Sequence, residues 1–176
     1  MSQKALDRLQ RALPQALAER YEDTTGAHWG IVAKEFLLPL LHHAKEELGF
    51  RLFISMDAVD RLQLPTNKPR FEVLYFLYSV EENAHLRLKV LVEEETPSVP
   101  SAHGIFQGAL WAERSVWDFY GIHFEGHPDL RRMFLYEAFE GHPLRKDYPL
   151  RGRQPLIPEN PPNEKTSPGP GNNRPV

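Results

Sequence analysis

The sequence predicts an α+β fold: helices packed on one side of a mostly antiparallel sheet, followed by an extended, loop-rich C-terminal strap. Three observations point there. The elements read helix, strand, helix, several strands, helix, an order that suits α+β packing rather than an alternating parallel fold. Residues 71–92 hold two apolar runs joined by a short polar turn, the mark of an antiparallel hairpin. After Gly121 the regular periods fade, yet 10 of the 19 aromatic residues lie between Phe106 and Tyr148. A disordered loop does not need so many rings, so this stretch reads as ordered against something.

Leu6, Leu9, Leu13 and Leu17 recur at three- and four-residue steps and predict an opening helix. Pro14 should end or kink it. Trp29, Ile31 and Ala33 alternate as a short strand. Phe36, Leu37, Leu40, Leu41, Ala44 and Leu48 form a second helical stripe, with Gly49 as its C-cap. Pro39 fits that helix only in its first turn. Phe50, Leu52, Ile54 and Met56 alternate with Arg51, Phe53 and Ser55 and predict a strand with those four on one face. The run 71–80 is nearly continuous apolar and reads as a central strand buried on both faces. Glu81-Glu82-Asn83 makes the turn. In 85–92, Leu86, Leu88, Val90 and Val92 face one way. Glu93, Glu94 and Glu95 read as solvated connection. A third helix is expected from about Ser101 to Tyr120, ended by Gly121. Within it Arg114 and Asp118, four apart, are placed to pair.

The organisation that follows is a platform over 1–121, an ordered partner-binding strap over 122–150, and a Pro-rich tail over 151–176, extended or disordered. Nine of the 16 prolines fall at 143–175. The length of 176 residues suits one such core with a tail.

Composition excludes several chemistries. There is no cysteine, hence no disulfide framework, thiolate iron–sulfur ligation or cysteine nucleophile in this chain. Net charge is −3, which disfavours general nucleic-acid binding. No apolar run approaches the ~18 residues needed to span a bilayer. The charged N-terminus does not read as a secretory signal. Neither a phosphate-binding GxxxxGK[ST] nor a GxGxxG following a strand is present.

His42 and His43 are adjacent on a helix and point apart. His127 and His142 each precede a proline and read best as ties for irregular backbone. With Asp147 they form an alternative constellation, an acid–base or metal site of an independent enzyme, a reading that predicts turnover or bound metal in the free chain. A second alternative has the basic run Arg145 to Arg153 touching nucleic acid in a salt-sensitive way. Glu113 and Asp118 read as structural ion pairs with nearby arginines. The strongest local signal is 111–150, where both signs of charge and three histidines mix with aromatic rings. Arginine forks and buried rings in such a mixture suit a protein interface.

That block resembles the 30-kDa subunit family of respiratory complex I, which forms the C subunits of the bacterial enzymes. The resemblance rests on Glu113-Arg114-Ser115, Asp118-Phe119-Tyr120, Gly121-Ile122, Gly126-His127-Pro128-Asp129-Leu130-Arg131-Arg132, and Gly141-His142-Pro143-Leu144-Arg145-Lys146-Asp147-Tyr148-Pro149. Upstream, Val59-Asp60, Arg70-Phe71-Glu72-Val73 and Arg87-Leu88-Lys89-Val90 look like the family's sheet. The likeness spans about 28–150. Ser115 stands where the family usually has Glu, and Phe134 where a smaller aliphatic is common. The resemblance implies a non-catalytic subunit of the hydrophilic arm of NADH:quinone oxidoreductase. It implies contact with subunits D, B and I, with docking on the first of these, the 49-kDa-type subunit. FMN and iron–sulfur clusters are then expected in partner subunits, with no cofactor on this chain. The resemblance also implies a position at the cytoplasmic face of the bacterial inner membrane, held by the complex. An equivalent scaffold subunit of a membrane-bound hydrogenase or another donor:quinone dehydrogenase is the alternative. The interface residues so implied are Glu113, Arg114, Asp118, His127–Arg132 and Gly141–Pro149. Arg131, Arg132, Arg145 and Lys146 would pair with partner groups, oriented by Asp118, Asp129 and Asp147.

Overall fold

A computed structural model describes residues 2–64, 68–151 and 154. The elements run α1 (Ser2–Ala12), β1 (Leu17–Glu22), β2 (His28–Val32), α2 (Leu37–Glu46), β3 (Leu52–Asp60), β4 (Phe71–Ser79), β5 (Ala84–Val92), β6 (Ser98–Pro100), α3 (Ala109–Tyr120) and β7 (His123–Glu125). The main sheet has the order β1-β2-β5-β4-β3. All its pairings are antiparallel except β2 with β5. A small parallel pair, β6 with β7, lies apart from it. The α+β expectation is met, with a mixed rather than purely antiparallel sheet.

The 71–92 hairpin forms in full register, from Phe71 opposite Val92 to Ser79 opposite Ala84. Asn83 takes φ 47° in its turn, a conformation Asn tolerates better than other non-glycine residues. One face of the hairpin carries Val73, Tyr75, Leu77, Leu86, Leu88 and Val90, all fully buried. They join Leu6, Leu9, Leu37, Leu40, Leu41 and Val116 of the three helices in a single core. Burying each such aliphatic contributes roughly 1.5–3 kcal/mol. Gly30 is where α1 meets the sheet. A Cβ there would lie 2.9 Å from methyl carbons of both Leu6 and Leu17.

Four local expectations change. Leu17 leaves the first helix, which stops at Ala12, and begins β1. Ala33 falls just past β2, and its N–H bonds back to the Ala16 carbonyl at 3.1 Å. The alternation 50–56 does not hold one face, because the ladder slips between Phe53 and Ser55. Phe50 and Met56 are buried, while Leu52 and Ile54 are about half exposed at 47% and 49%. The third helix starts at Ala109, not Ser101; residues 101–108 form turns ahead of it. Pro39 does sit in the first turn of α2, and Gly49 follows that helix at φ 75°.

β4 is flanked by β5 and β3, so the centre of the sheet is β5. Its second face is covered by side chains rather than by a helical layer. Trp29 meets Phe76 edge to face at 5.5 Å. Lys89 lies over Trp29 and Tyr21 and donates to Glu72 at 3.0 Å, while Arg61 pairs with the other oxygen of Glu72. A continuous apolar run thus needs only one packed layer here. The tail after Arg151, apart from Gln154, lies outside the described residues.

Candidate functional site

α3 ends as Gly121 takes φ 72° and its N–H caps the Trp117 carbonyl at 2.8 Å. A helix leaves its last four carbonyls without internal partners. The chain beyond β7 supplies the other three. His142 Nδ1 donates to the Asp118 carbonyl at 3.0 Å, the Leu144 N–H to Phe119 at 3.1 Å, and Arg145 Nε to Tyr120 at 2.6 Å. The cationic Arg145 also sits where the helix dipole is negative. Gly141-His142-Pro143-Leu144-Arg145 is therefore the cap of α3. Gly121 has no room for a side chain, since a Cβ would lie 2.5 Å from the His142 ring.

The side chains of α3 hold the strap from the other direction. Arg114 and Asp118 do not pair with each other. Arg114 donates to the carbonyls of Arg131 and Arg132 at 3.1 and 2.9 Å. Asp118, fully buried, accepts the N–H groups of Met133, Phe134 and Leu135 on Oδ2 at 2.8–3.0 Å, and Arg132 on Oδ1 at 2.9 Å. Burial alone would raise the Asp118 pKa; the three N–H groups and Arg132 outweigh it and hold it below the ordinary carboxylate value. Arg132 then reaches on to the carbonyls of Phe139 and Gly141 at 2.7 and 3.1 Å and lies over the rings of Trp117 and Phe139. Two helix residues one turn apart thus grip one loop, one by its carbonyls and one by its amides.

A second fastening lies at the end of the sheet. Asp60, at 4% exposure, takes a two-pronged bond from Arg70 at 3.0 and 2.8 Å and the N–H of Lys146 at 2.8 Å. Arg70 also binds Asp147 at 2.8 Å and Glu94 at 2.5 Å. Arg70 in turn holds Asp147 below its ordinary pKa. The Arg145 guanidinium lies over the Phe71 ring at 5.2 Å. Asp60 and Arg70 are not among the interface residues drawn from the sequence. A signal exists for one of them: Asp60 continues the buried phase Met56, Ala58, where an apolar residue is expected.

The remaining site residues fall around these points. His127 Nε2 donates to the Leu110 carbonyl and its Nδ1 accepts the Asp129 N–H, both at 3.0 Å. Asp129 pairs with the exposed Arg131 at 3.0 Å. Leu130 packs partly on the core; Pro128 and Pro149 are exposed. Tyr148 stacks with Phe139 at 6.1 Å. Burial, with the charges of Arg145 and Arg132, holds the His142 pKa below its ordinary value. Glu113 departs from the expected ion pair. It is fully buried and accepts from the Ser101 hydroxyl and from the Ala102 N–H at 2.6 Å. Burial lifts its pKa to about 7.

Among the described residues no group of His, Asp and Glu is placed to hold a metal ion, and His127 and His142 are each tied to backbone. No helix of the described residues is long and apolar enough to cross a membrane. Among the groups that α3 and the strap leave outward are large apolar side chains: Trp111 is 58% exposed, Phe134 63%, Leu144 48% and Leu150 99%.

Comparison with known proteins gives the same picture a family. The family model described as respiratory-chain NADH dehydrogenase, 30 Kd subunit, matches residues 31–154. A NADH-quinone oxidoreductase C subunit from Rhizobium etli is 48% identical over 120 residues, covering 67% of this chain and 58% of the relative. Its counterpart from Paramagnetospirillum magneticum is 40% identical over 144 residues, 81% of this chain and 70% of that one. The chain thus spans about half to three-quarters of the length of such relatives. Among solved structures, a trypsin-resistant fragment (1-134) of Nqo5 superposes with a TM-score of 0.65 at 29% identity, over 74% of this chain and all of the fragment. A chain of an archaeal membrane-bound sulfane sulfur reductase shares the fold, with a TM-score of 0.67 at 22% identity over 85% of this chain and 86% of that one. The matched span holds the sheet from Ile31 onward, α3 and its clamps, and on it the chain belongs to the family of respiratory-chain NADH dehydrogenase 30 Kd subunits.

Proposed function

We propose that this chain is a non-catalytic scaffold subunit of the hydrophilic arm of a NADH:quinone oxidoreductase. Its partners are subunits D, B and I, at the cytoplasmic face of the membrane. The strap docks on the first of them, the 49-kDa-type subunit, and the other two lie alongside. FMN and iron–sulfur clusters belong to the partner subunits. One observation carries the reading. The strap is fastened to its own platform at α3 and at Asp60–Arg70, yet it leaves Trp111, Phe134 and Leu150 exposed. Large exposed apolar side chains on an ordered scaffold suit anchors that fill partner pockets. The polar groups that the sequence marks as partner-facing have a different part in this proposal. Arg132 and Arg145 already bind carbonyls of this chain, so they shape the docking surface, and the rings make the contact.

The test is capture of the chain from gently solubilised native membranes, with partners identified by mass spectrometry. Recovery with subunits D, B and I, alongside NADH oxidation in a native gel, is the expected result. Phe134→Ala should weaken binding roughly thirtyfold, in keeping with about 2 kcal/mol for an anchor, and reduce that recovery accordingly. Recovery of hydrogenase or other dehydrogenase subunits would keep the scaffold role and change the donor. A lone chain, under conditions where the large complex survives, would overturn the reading.

A further inference from the structure

Glu113 is the carboxylate of α3 that the strap does not use. It has no cation within ion-pair distance among the described residues. Its neighbours on α3, Arg114 and Asp118, are both engaged with the strap. On β4 the hydroxyl of Tyr75 is buried with no hydrogen-bond partner among the described residues, and the Glu113 charge, second to burial, helps raise its pKa. Lys45 of α2 binds the Ile105 carbonyl and lies over Phe106, on the far part of the same turn segment. The way out from Glu113 runs through Ser101. The Ser101 hydroxyl touches Glu113 Oε2 on one side and lies 3.2 Å from His103 Nδ1 on the other. His103 is partly exposed, and its ring is 6.2 Å from that of His127.

A hydroxyl between a carboxyl and an imidazole has two complete hydrogen-bond settings. With Glu113 ionised and His103 an imidazolium, Ser101 donates to the carboxylate and accepts from Nδ1–H of His103. With Glu113 protonated and His103 neutral, its proton on Nε2, the carboxyl donates to Ser101, and Ser101 donates to Nδ1. The two settings differ by two protons that each move one place: Nδ1–H to Oγ, and Oγ–H to Oε2. Nothing else is gained or lost.

We propose that Glu113, Ser101 and His103 form a proton relay that shares one proton between a buried carboxyl and a partly exposed imidazole. The buried end titrates near neutrality, at about 7, so the relay is loaded and unloaded in the ordinary working range of pH. Its state is felt by the 101–108 turns, because the Ala102 N–H ends on the same carboxyl. The inference does not depend on the partners proposed above.

The test uses the full chain with 15N-labelled histidine, with the His103 signals assigned by His103→Gln. The Nδ1 shift is followed against pH in the wild type, Glu113→Gln, Ser101→Ala and the double variant. Glu113→Gln should change the His103 Nδ1 shift when Ser101 is present, because the group that Ser101 links to Nδ1 has lost its charge and its proton. In the Ser101→Ala background the same substitution should change it by less than about half that amount. An unchanged Nδ1 shift, or an equal change in both backgrounds, would overturn the relay. If Glu113→Gln does not fold, the Glu113 carboxyl 13C signal is followed instead. Ser101→Ala and His103→Gln should then each shift its midpoint, and coincidence of all three curves would overturn the proposal.

Discussion

The sheet and the strap are held by opposite means. The sheet rests on a continuous apolar core, in which Leu86, Leu88, Val73 and Leu77 are wholly buried and alike in kind. The strap opens with the core residues Ile122 and Phe124 and with β7, but beyond them residues 126–150 have no β-strand or helix and little core contact. It is held by a few charged side chains that reach backbone groups: Arg114 and Asp118 from α3, Arg132 and Arg145 from the strap itself. The sheet's stability is spread over many contacts. The strap's is concentrated in a few buried polar groups, where removing one partner leaves others unpaired at high cost.

Asp118→Ala should break the comparison most sharply. It orphans three amides and takes the carboxylate away from Arg132, and losing one partner of a buried pair costs about 3–5 kcal/mol. The loss should appear as faster exchange of the Met133–Leu135 amides while the sheet amides keep their protection. Leu88→Ala should do the reverse: about 2–5 kcal/mol of global stability lost in denaturant unfolding, with strap and sheet failing together. Gly30→Ala tests the tightness of the α1–sheet contact, and forcing a methyl between Leu6 and Leu17 should cost about 1–3 kcal/mol in the same assay. Arg145→Ala removes the cap of the Tyr120 carbonyl. About 1–2 kcal/mol of local stability should go, seen as exchange at Leu144 and Lys146 with the unfolding midpoint nearly unchanged.

The pH dependence separates two carboxylates on one helix. Asp118 titrates lower folded than unfolded, so its contribution is present above the ordinary carboxylate range and is lost as pH falls through its folded value. Glu113 is the opposite case. Its folded value is raised from 4.5 to about 7, so folding favours its protonated form and stability declines as pH rises through that window. The stability difference between wild type and Glu113→Gln, measured from pH 4 to 8, should slope between those two values and be flat above them.

What is legible in the sequence follows the same division. Alternation in 71–92 predicts the hairpin, because apolar burial repeats with the strand period. Gly121 is readable as the end of α3, because only one residue type takes that conformation freely. The stripe from Leu13 to Leu17 continues in helical phase across Pro14, which hides β1. The slip between Phe53 and Ser55 reverses the facing of β3, and no residue there announces a bulge. The motif residues of the strap are legible as residue types, but their targets are not. Arg114, Asp118 and Arg145 bind backbone carbonyls and amides, which look the same in every sequence.

The central claim is that the strap is ordered on its own platform before any partner arrives. Hydrogen exchange of the free full-length chain at the amides of Met133, Phe134 and Leu135 tests it most directly. Protection that approaches that of the sheet, and falls at least about tenfold in Asp118→Ala, is the predicted result. Exchange at the rate of an unstructured chain in the wild type would contradict it, and would make the strap a segment that orders only on binding.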